Sequence, residues 1–281
     1  MIIDIHTHAF PQIIRQERQR FFENEPAFQL LYRSPQSQLI GAEDTIAMMD
    51  DQGVDKSVIF GFPWRSEETF KRNNDYILEA VTRHPDRLIG FCCFDAQHPN
   101  AAREVERCLE AGLSGIGELA FYTSGIDADC LHSLDPIMTL ASDDDCPVML
   151  HTNEPIGHQY PGKCPNTLIQ IYALIQRFKK NKIILAHWGG GIFFYTLLKK
   201  EVRQTLANVW FDTAASPYLY QPQIYSLAMT MAGEDKILLG TDYPLLNPQR
   251  YFKEMRQSGL SQSSEKAICG VNAQKVLKLV S

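Results

Sequence analysis

Eight short apolar, β-branched runs recur along the chain, and their alternation with amphipathic segments restricts the fold more than any other feature. In order they are MIIDIH (1–6), KSVIFGF (56–62), RLIGFCCF (87–94), LSGIGELA (113–120), PVMLH (147–151), KIILAH (182–187), NVWFDT (208–213) and KILLGTD (236–242). Most are apolar along their whole length, the pattern of parallel strands covered on both faces. Between them lie helical patterns. AEDTIAMMDDQG (42–53) opens on acidic residues and stops at a glycine, which are helix start and stop signals. NTLIQIYALIQRFKKN (166–181) sets Leu168, Ile171, Tyr172, Ile175 and Phe178 on one helical face. Residues 73–86, 99–112, 191–206 and 222–233 repeat the theme.

Strand–helix alternation of this kind predicts a (β/α)8 TIM barrel. The competing arrangement, a doubly wound open sheet, calls for a glycine-rich turn after the first strand. HTHAFPQ stands there instead, and the Gly189–Gly191 run after the sixth strand lacks the following GK[ST] of a phosphate loop. No repeat or linker interrupts the pattern, so residues 1–281 are expected to form one domain. Residues 9–41 form a long β1–α1 insertion at the end of the first strand, where a loop covers the active face of a barrel. Its aromatics make it the expected contact of a homodimer. Residues 248–281 are expected to carry two helices.

Composition narrows the partners. The net charge of −6 comes from 27 basic and 33 acidic residues, well mixed along the chain, so no basic face is offered to nucleic acid or an anionic membrane. No apolar stretch approaches the roughly 18 residues of a membrane span. The seven cysteines include no CxxC pair and several sit in apolar runs, as expected of reduced thiols in a cytoplasmic protein. No leader peptide is recognisable at the N-terminus. A small-molecule substrate is the remaining expectation.

The ends of the predicted strands carry the chemistry. The first run ends in His6-x-His8, the fourth contains Glu118, the fifth and sixth end at His151 and His187, and the eighth ends at Asp242. Residues i and i+2 of a strand share a face, so His6 and His8 can point inward together. Singly, each has a plain structural explanation: a chance HxH, a histidine at a strand rim, an aspartate opening a turn. Glu118 is harder to dismiss, because a carboxylate within an apolar strand must be paired or ligated. Together, six such side chains at strand ends of a barrel predict a divalent-metal site. Imidazole and carboxylate ligands suit zinc and also iron, nickel or manganese, and ligand type does not choose among them; zinc is the expected ion, with one or two ions held.

These motifs resemble those of the amidohydrolase superfamily. DIHTHAF is similar to its strand-1 HxH, LHTNE to its strand-5 histidine, LAHWGGG to its strand-6 histidine, and LLGTDYP to its strand-8 aspartate, with a terminal VNAQKVLKL helix. The nearest branch holds aminocarboxymuconate-semialdehyde decarboxylase together with metal-dependent hydrolases. The resemblance implies that His6, His8, His151 and Asp242 ligate metal, with His187 beside the metal water. Glu118 would bridge a second ion, with His187 then a ligand too. Asp242 and His187 would be the catalytic pair. Because of Glu118, the expected activity is hydrolysis of a C–N or C–O bond in an amide, lactone or ester by metal-activated water. The alternative is a decarboxylase of an aromatic or unsaturated acid, with Arg65 holding the carboxylate. Trp64, Arg65, Tyr122 and Trp188 are the expected substrate contacts, and Phe62, Tyr218 and Tyr243 are further aromatic candidates. His158 and Tyr160 are loop candidates for specificity, and Asp212 for a hydrogen bond to a histidine.

Overall fold

The computed structural model describes residues 1–279. Eight parallel strands follow one another round a single sheet: β1 (Ile3–His8), β2 (Lys56–Phe60), β3 (Leu88–Cys92), β4 (Gly115–Leu119), β5 (Pro147–Leu150), β6 (Lys182–Leu185), β7 (Val209–Asp212) and β8 (Ile237–Leu238). The sheet closes on itself. Ile5 donates its N–H to Leu239 O at 2.8 Å, Asp242 donates to His6 O at 2.9 Å, and His8 donates to Tyr243 O at 2.9 Å. The last strand is therefore short as a ladder, yet its continuation runs beside β1 as far as Tyr243 and completes a (β/α)8 barrel.

The apolar strands have two faces to bury. Ile3, Ile5, Val58, Phe60, Ile89, Phe91, Met149, Ile184 and Leu238 pack together, floored by Ala273 and Val276 of the C-terminal helix. Ile59, Cys92, Ile116, Val148, Leu150, Ile183 and Leu185 instead join the larger core beneath the helices. At about 25 cal/mol per Å², burial on both faces is the dominant stabilising contribution.

Two irregularities in the pleat position the chemistry. In β1, Asp4 pairs with Ser57 but Thr7 pairs with Ile59, so β1 carries one extra residue. That bulge lets a strand that begins with interior Ile3 and Ile5 end with interior His6 and His8. In β4, Ile116 pairs with Val148 and Leu119 with Leu150, again one residue in excess. Ile116 and Leu119 both face the helix layer, and Glu118 between them is left to face the barrel axis. Gly117 has φ 123°, and a Cβ there would stand 2.4 Å from Met149 O. Only glycine suits that position.

The helices broadly follow the predicted pattern. The 42–53 helix spans Ala42–Gln52 and ends at Gly53, φ 71°. The 73–86 helix starts earlier, as Glu67–Arg83, because the Ser66 side chain accepts from Thr69 N. A helix at Ala128–Asp143, capped by Asp127, has no counterpart in the sequence prediction, since Pro136 lies inside it and interior proline normally ends a helix. The 191–206 helix is not formed as expected. Trp188–Gly191 adopt left-handed backbone angles, and regular helix occupies only Lys200–Thr205. The insertion holds short helices at Gln12–Gln16 and Pro26–Tyr32. Its Phe10 and Phe28 pack on Trp64 and Phe62. All seven cysteines are buried and free. Among the described residues no helix is long and apolar enough to cross a membrane.

Candidate active site

His6, His8, Glu118, His151, His187 and Asp242 come from five different strand ends, and barrel closure brings all six together. Three overlapping groups have ligand atoms within 4.8 Å of one another: His6, His8 and Glu118; His6, His187 and Asp242; Glu118, His151 and His187. His8 Nε2 lies 3.3 Å from Asp242 Oδ1, and His6 Nε2 lies 3.6 Å from both Glu118 and Asp242. Glu118 Oε1 is 3.0 Å from His151 Nδ1 and 3.5 Å from His187 Nε2.

The outer nitrogens of these rings are tied to the scaffold. His8 Nδ1 donates to Gly61 O at 3.0 Å and His187 Nδ1 to Ala214 O at 3.1 Å. A carbonyl only accepts, so each Nδ1 carries the hydrogen and each Nε2 presents a lone pair to the centre. His6 Nδ1 is held by Asp212 Oδ2 at 2.8 Å. His151 is turned the other way: its Nε2 donates to Gly162 O at 2.9 Å, and Nδ1 faces Glu118. Buried His6 Nε2 has no hydrogen-bond partner. A buried nitrogen without a partner, ringed by carboxylates and imidazoles, fits a divalent cation.

The charges of the cluster are strongly interdependent. Burial disfavours a proton on His6, but the carboxylates of Glu118, Asp212 and Asp242 outweigh it and raise its pKa to about 10. Burial pushes Glu118 upward, and the charges of His6 and His151 more than reverse this, holding it well below the usual carboxylate range. Asp242 is likewise lowered: burial pushes it up, and the neighbouring His8, His6 and His187 rings more than offset this.

A cavity of about 840 Å³ opens onto this cluster. His8, Glu118, His151, His187 and Asp242 line it, with Tyr32, Phe62, Tyr122, Tyr160 and Tyr218 among its aromatic walls, and among the described residues no lysine or arginine does. Tyr122 stacks on Phe62 and tilts toward His151. The other expected substrate contacts lie elsewhere. Trp64 is fully buried in the insertion's aromatic cluster, its Nε1 donating to Asn73 at 3.0 Å. Trp188 is fully buried against Tyr225. Arg65 is 54% exposed and faces Asp95 at 3.8 Å, outside the cavity. Large indoles gain more from core burial than from a rim, and the arginine keeps its charged head in water.

Two cavity groups lay outside the expected contacts. Tyr32 comes from the insertion, and burial, then the Asp242 and Glu118 charges, keep its hydroxyl protonated. Glu154 lines the cavity from the loop that follows β5. Tyr32 is one of the aromatics of the insertion expected over the active face, whereas Glu154 stands beyond the strand end and outside any periodic pattern.

The family model described as amidohydrolase matches residues 3–279. The chain belongs to the amidohydrolase family. It is 25% identical to a gamma-resorcylate decarboxylase of a Polaromonas species, across 86% of this chain and 89% of that protein. It is 26% identical to a 2-amino-3-carboxymuconate-6-semialdehyde decarboxylase of Dictyostelium discoideum, across 79% of this chain and 70% of that protein. Among solved structures, it resembles a 5-carboxyvanillate decarboxylase from Novosphingobium aromaticivorans with a TM-score of 0.77 at 19% identity, covering 99% of this chain and 96% of the other. That structure holds manganese and 4-hydroxy-3-methoxy-5-nitrobenzoic acid.

These relatives overturn the expectation of a hydrolase. They break a carbon–carbon bond, and the inference from Glu118 to hydrolysis fails with them: a carboxylate among imidazoles stabilises a cation whatever bond is broken. Zinc gains no support either, since the metal in the similar structure is manganese.

Proposed function

We propose that this chain is a divalent-metal-dependent decarboxylase of a carboxylic acid borne on an aromatic or unsaturated carbon. The observation that carries this reading is the similarity to decarboxylases over most of the chain. The placement of a histidine–carboxylate cluster beneath an aromatic-walled cavity agrees with it. In this reading His6, His8, His151 and Asp242 hold the metal, with Glu118 and His187 against it. The bound ion supplies Lewis acidity toward the substrate's oxygen atoms.

Decarboxylation breaks the bond between the ring and carboxylate carbons, leaves the electron pair on the ring carbon, and places a proton there. The site must therefore deliver a proton to carbon. Asp242 Oδ1, at the cavity wall and 3.3 Å from His8 Nε2, is the group proposed to do so. It takes that proton from solvent through the open cavity and passes it to the ring carbon. His187, fixed by Ala214 O, orients the substrate through Nε2. Phe62 and Tyr122, stacked on each other in the cavity wall, offer an aromatic surface to a flat ring. No lysine or arginine of the cavity wall stabilises the carboxylate against its departure as neutral carbon dioxide.

The test is carbon dioxide release from hydroxybenzoates and unsaturated acids with manganese added, before and after chelation. Chelator-sensitive release from at least one acid is expected. No release from any of them contradicts the proposal.

A further inference from the structure

The loop after β5 builds a second polar feature into the cavity, apart from the histidine cluster. Glu154 lines the cavity and its side chain is 19% exposed. One carboxylate oxygen accepts from Lys163 Nζ at 2.8 Å, and the other accepts from the Tyr160 hydroxyl at 2.8 Å. Lys163 is only 5% exposed and does not line the cavity. Its ammonium also donates to the backbone oxygens of Ile156 and His158, at 3.4 and 3.3 Å. All three lysine donors are therefore committed to the loop. Burial, and then the bond to Glu154, push the Tyr160 hydroxyl well above the ordinary phenol value, so it remains a donor.

The result is a carboxylate presented to ligand on a rigid mount. A carboxylate oxygen accepts two hydrogen bonds, and each oxygen of Glu154 has used one within the protein. A ligand group that donates a hydrogen completes the set, whereas a ligand carboxylate meets like charge. Lys163, paired with Glu154 from behind the wall, tempers that repulsion, and among the described residues no lysine or arginine of the wall adds a second cation.

We propose that Glu154 sets substrate choice, selecting acids that carry a hydroxyl or amino donor away from the scissile carboxylate and rejecting those with a second carboxylate there. This rests on the decarboxylase reading for the word substrate, but its test is one of binding.

Two probes share a 2-nitrophenol head, whose nitro group stands in for the scissile carboxylate. They are 2-nitrohydroquinone, with a hydroxyl para to the phenol oxygen, and 4-hydroxy-3-nitrobenzoate, with a carboxylate in that place. Calorimetric titration of the manganese-loaded protein should show preference for the hydroquinone. Glu154→Gln should weaken the hydroquinone about tenfold, the scale of one charge-assisted hydrogen bond, and strengthen the benzoate. Lys163→Met, which leaves Glu154 without its cation, should weaken the benzoate further. The opposite responses separate selection from a loop staple, for which both variants would weaken both probes alike. Parallel losses, a wild-type preference for the benzoate, or binding of neither probe overturns the proposal. If the binding preference holds but no acid releases carbon dioxide, the decarboxylase reading fails and the selectivity of Glu154 stands. If carbon dioxide is released but the two variants act in parallel, only the selectivity fails.

Discussion

Asp212 holds two histidines of the cluster at once: one carboxylate oxygen lies 2.8 Å from His6 Nδ1, and the other accepts the backbone N–H of His187 at 2.8 Å. The second oxygen also accepts from Ala214 N at 3.0 Å, so the side chain, itself fully buried, ends β7 by tying it to β1 and β6. A partner of this kind fixes the tautomer and direction of a ligating imidazole.

Asp212→Asn is accordingly expected to weaken manganese binding about 10- to 100-fold, the range for loss of such a partner. Equilibrium dialysis or calorimetry with manganese measures it. Unchanged affinity would show that the orientation of His6 does not depend on Asp212.

Gly117 is the hinge that delivers Glu118. With φ at 123° and Met149 O 2.4 Å from any added Cβ, Gly117→Ala must displace the backbone of β4 or β5. A stability loss of about 1–3 kcal/mol follows from the conformation alone, and the clash adds to it. Urea denaturation should report this, along with weaker manganese binding from a misplaced Glu118. A variant as stable as the parent would refute the role given to the bulge.

Much of this site was legible in the sequence, and the reasons are local. His6 and His8 alone could be a chance pair, and they stand out because Glu118 lies in an apolar run and His151, His187 and Asp242 each end one. The bulges were not legible, because an extra residue in a ladder depends on the neighbouring strand. Simple alternation would have put Ile5 and His6 on opposite faces. Trp64, Trp188 and Arg65 were misplaced for a similar reason: nearness to a strand end in sequence does not say whether a side chain turns into the cavity, the core or water. The chemistry was misjudged at Glu118, whose presence signals a buried charge balance and not the bond to be broken.

Away from the cavity, Glu104 gives a pH-dependent test of the fold. It is buried, accepts from Asn74 Nδ2 at 2.8 Å and pairs with Arg107 at 2.7 Å. Burial pushes its pKa up, but the Arg107 and Asn74 hydrogen bonds reverse this and leave it below the ordinary value. A carboxyl lowered on folding contributes stability above its unfolded pKa, and that contribution disappears as pH falls through the folded value. Glu104→Gln should cost about 1–3 kcal/mol at neutral pH and little once the solution is acid enough to protonate the native glutamate. Urea titrations across the acid range check this. A constant difference at all pH values would contradict it.

The central claim is that the chain replaces a carboxylate with a proton delivered at Asp242. The most direct measurement is turnover of 2,6-dihydroxybenzoate or a related unsaturated acid by the manganese-loaded protein in heavy water, with carbon dioxide and product deuterium counted together. One carbon dioxide should be released for each deuterium placed on the carbon that lost it, with Asp242→Asn reducing the rate at least about 100-fold, the lower range for a positioned proton donor. Product formed without carbon dioxide, or release that Asp242→Asn leaves unchanged, would contradict the account.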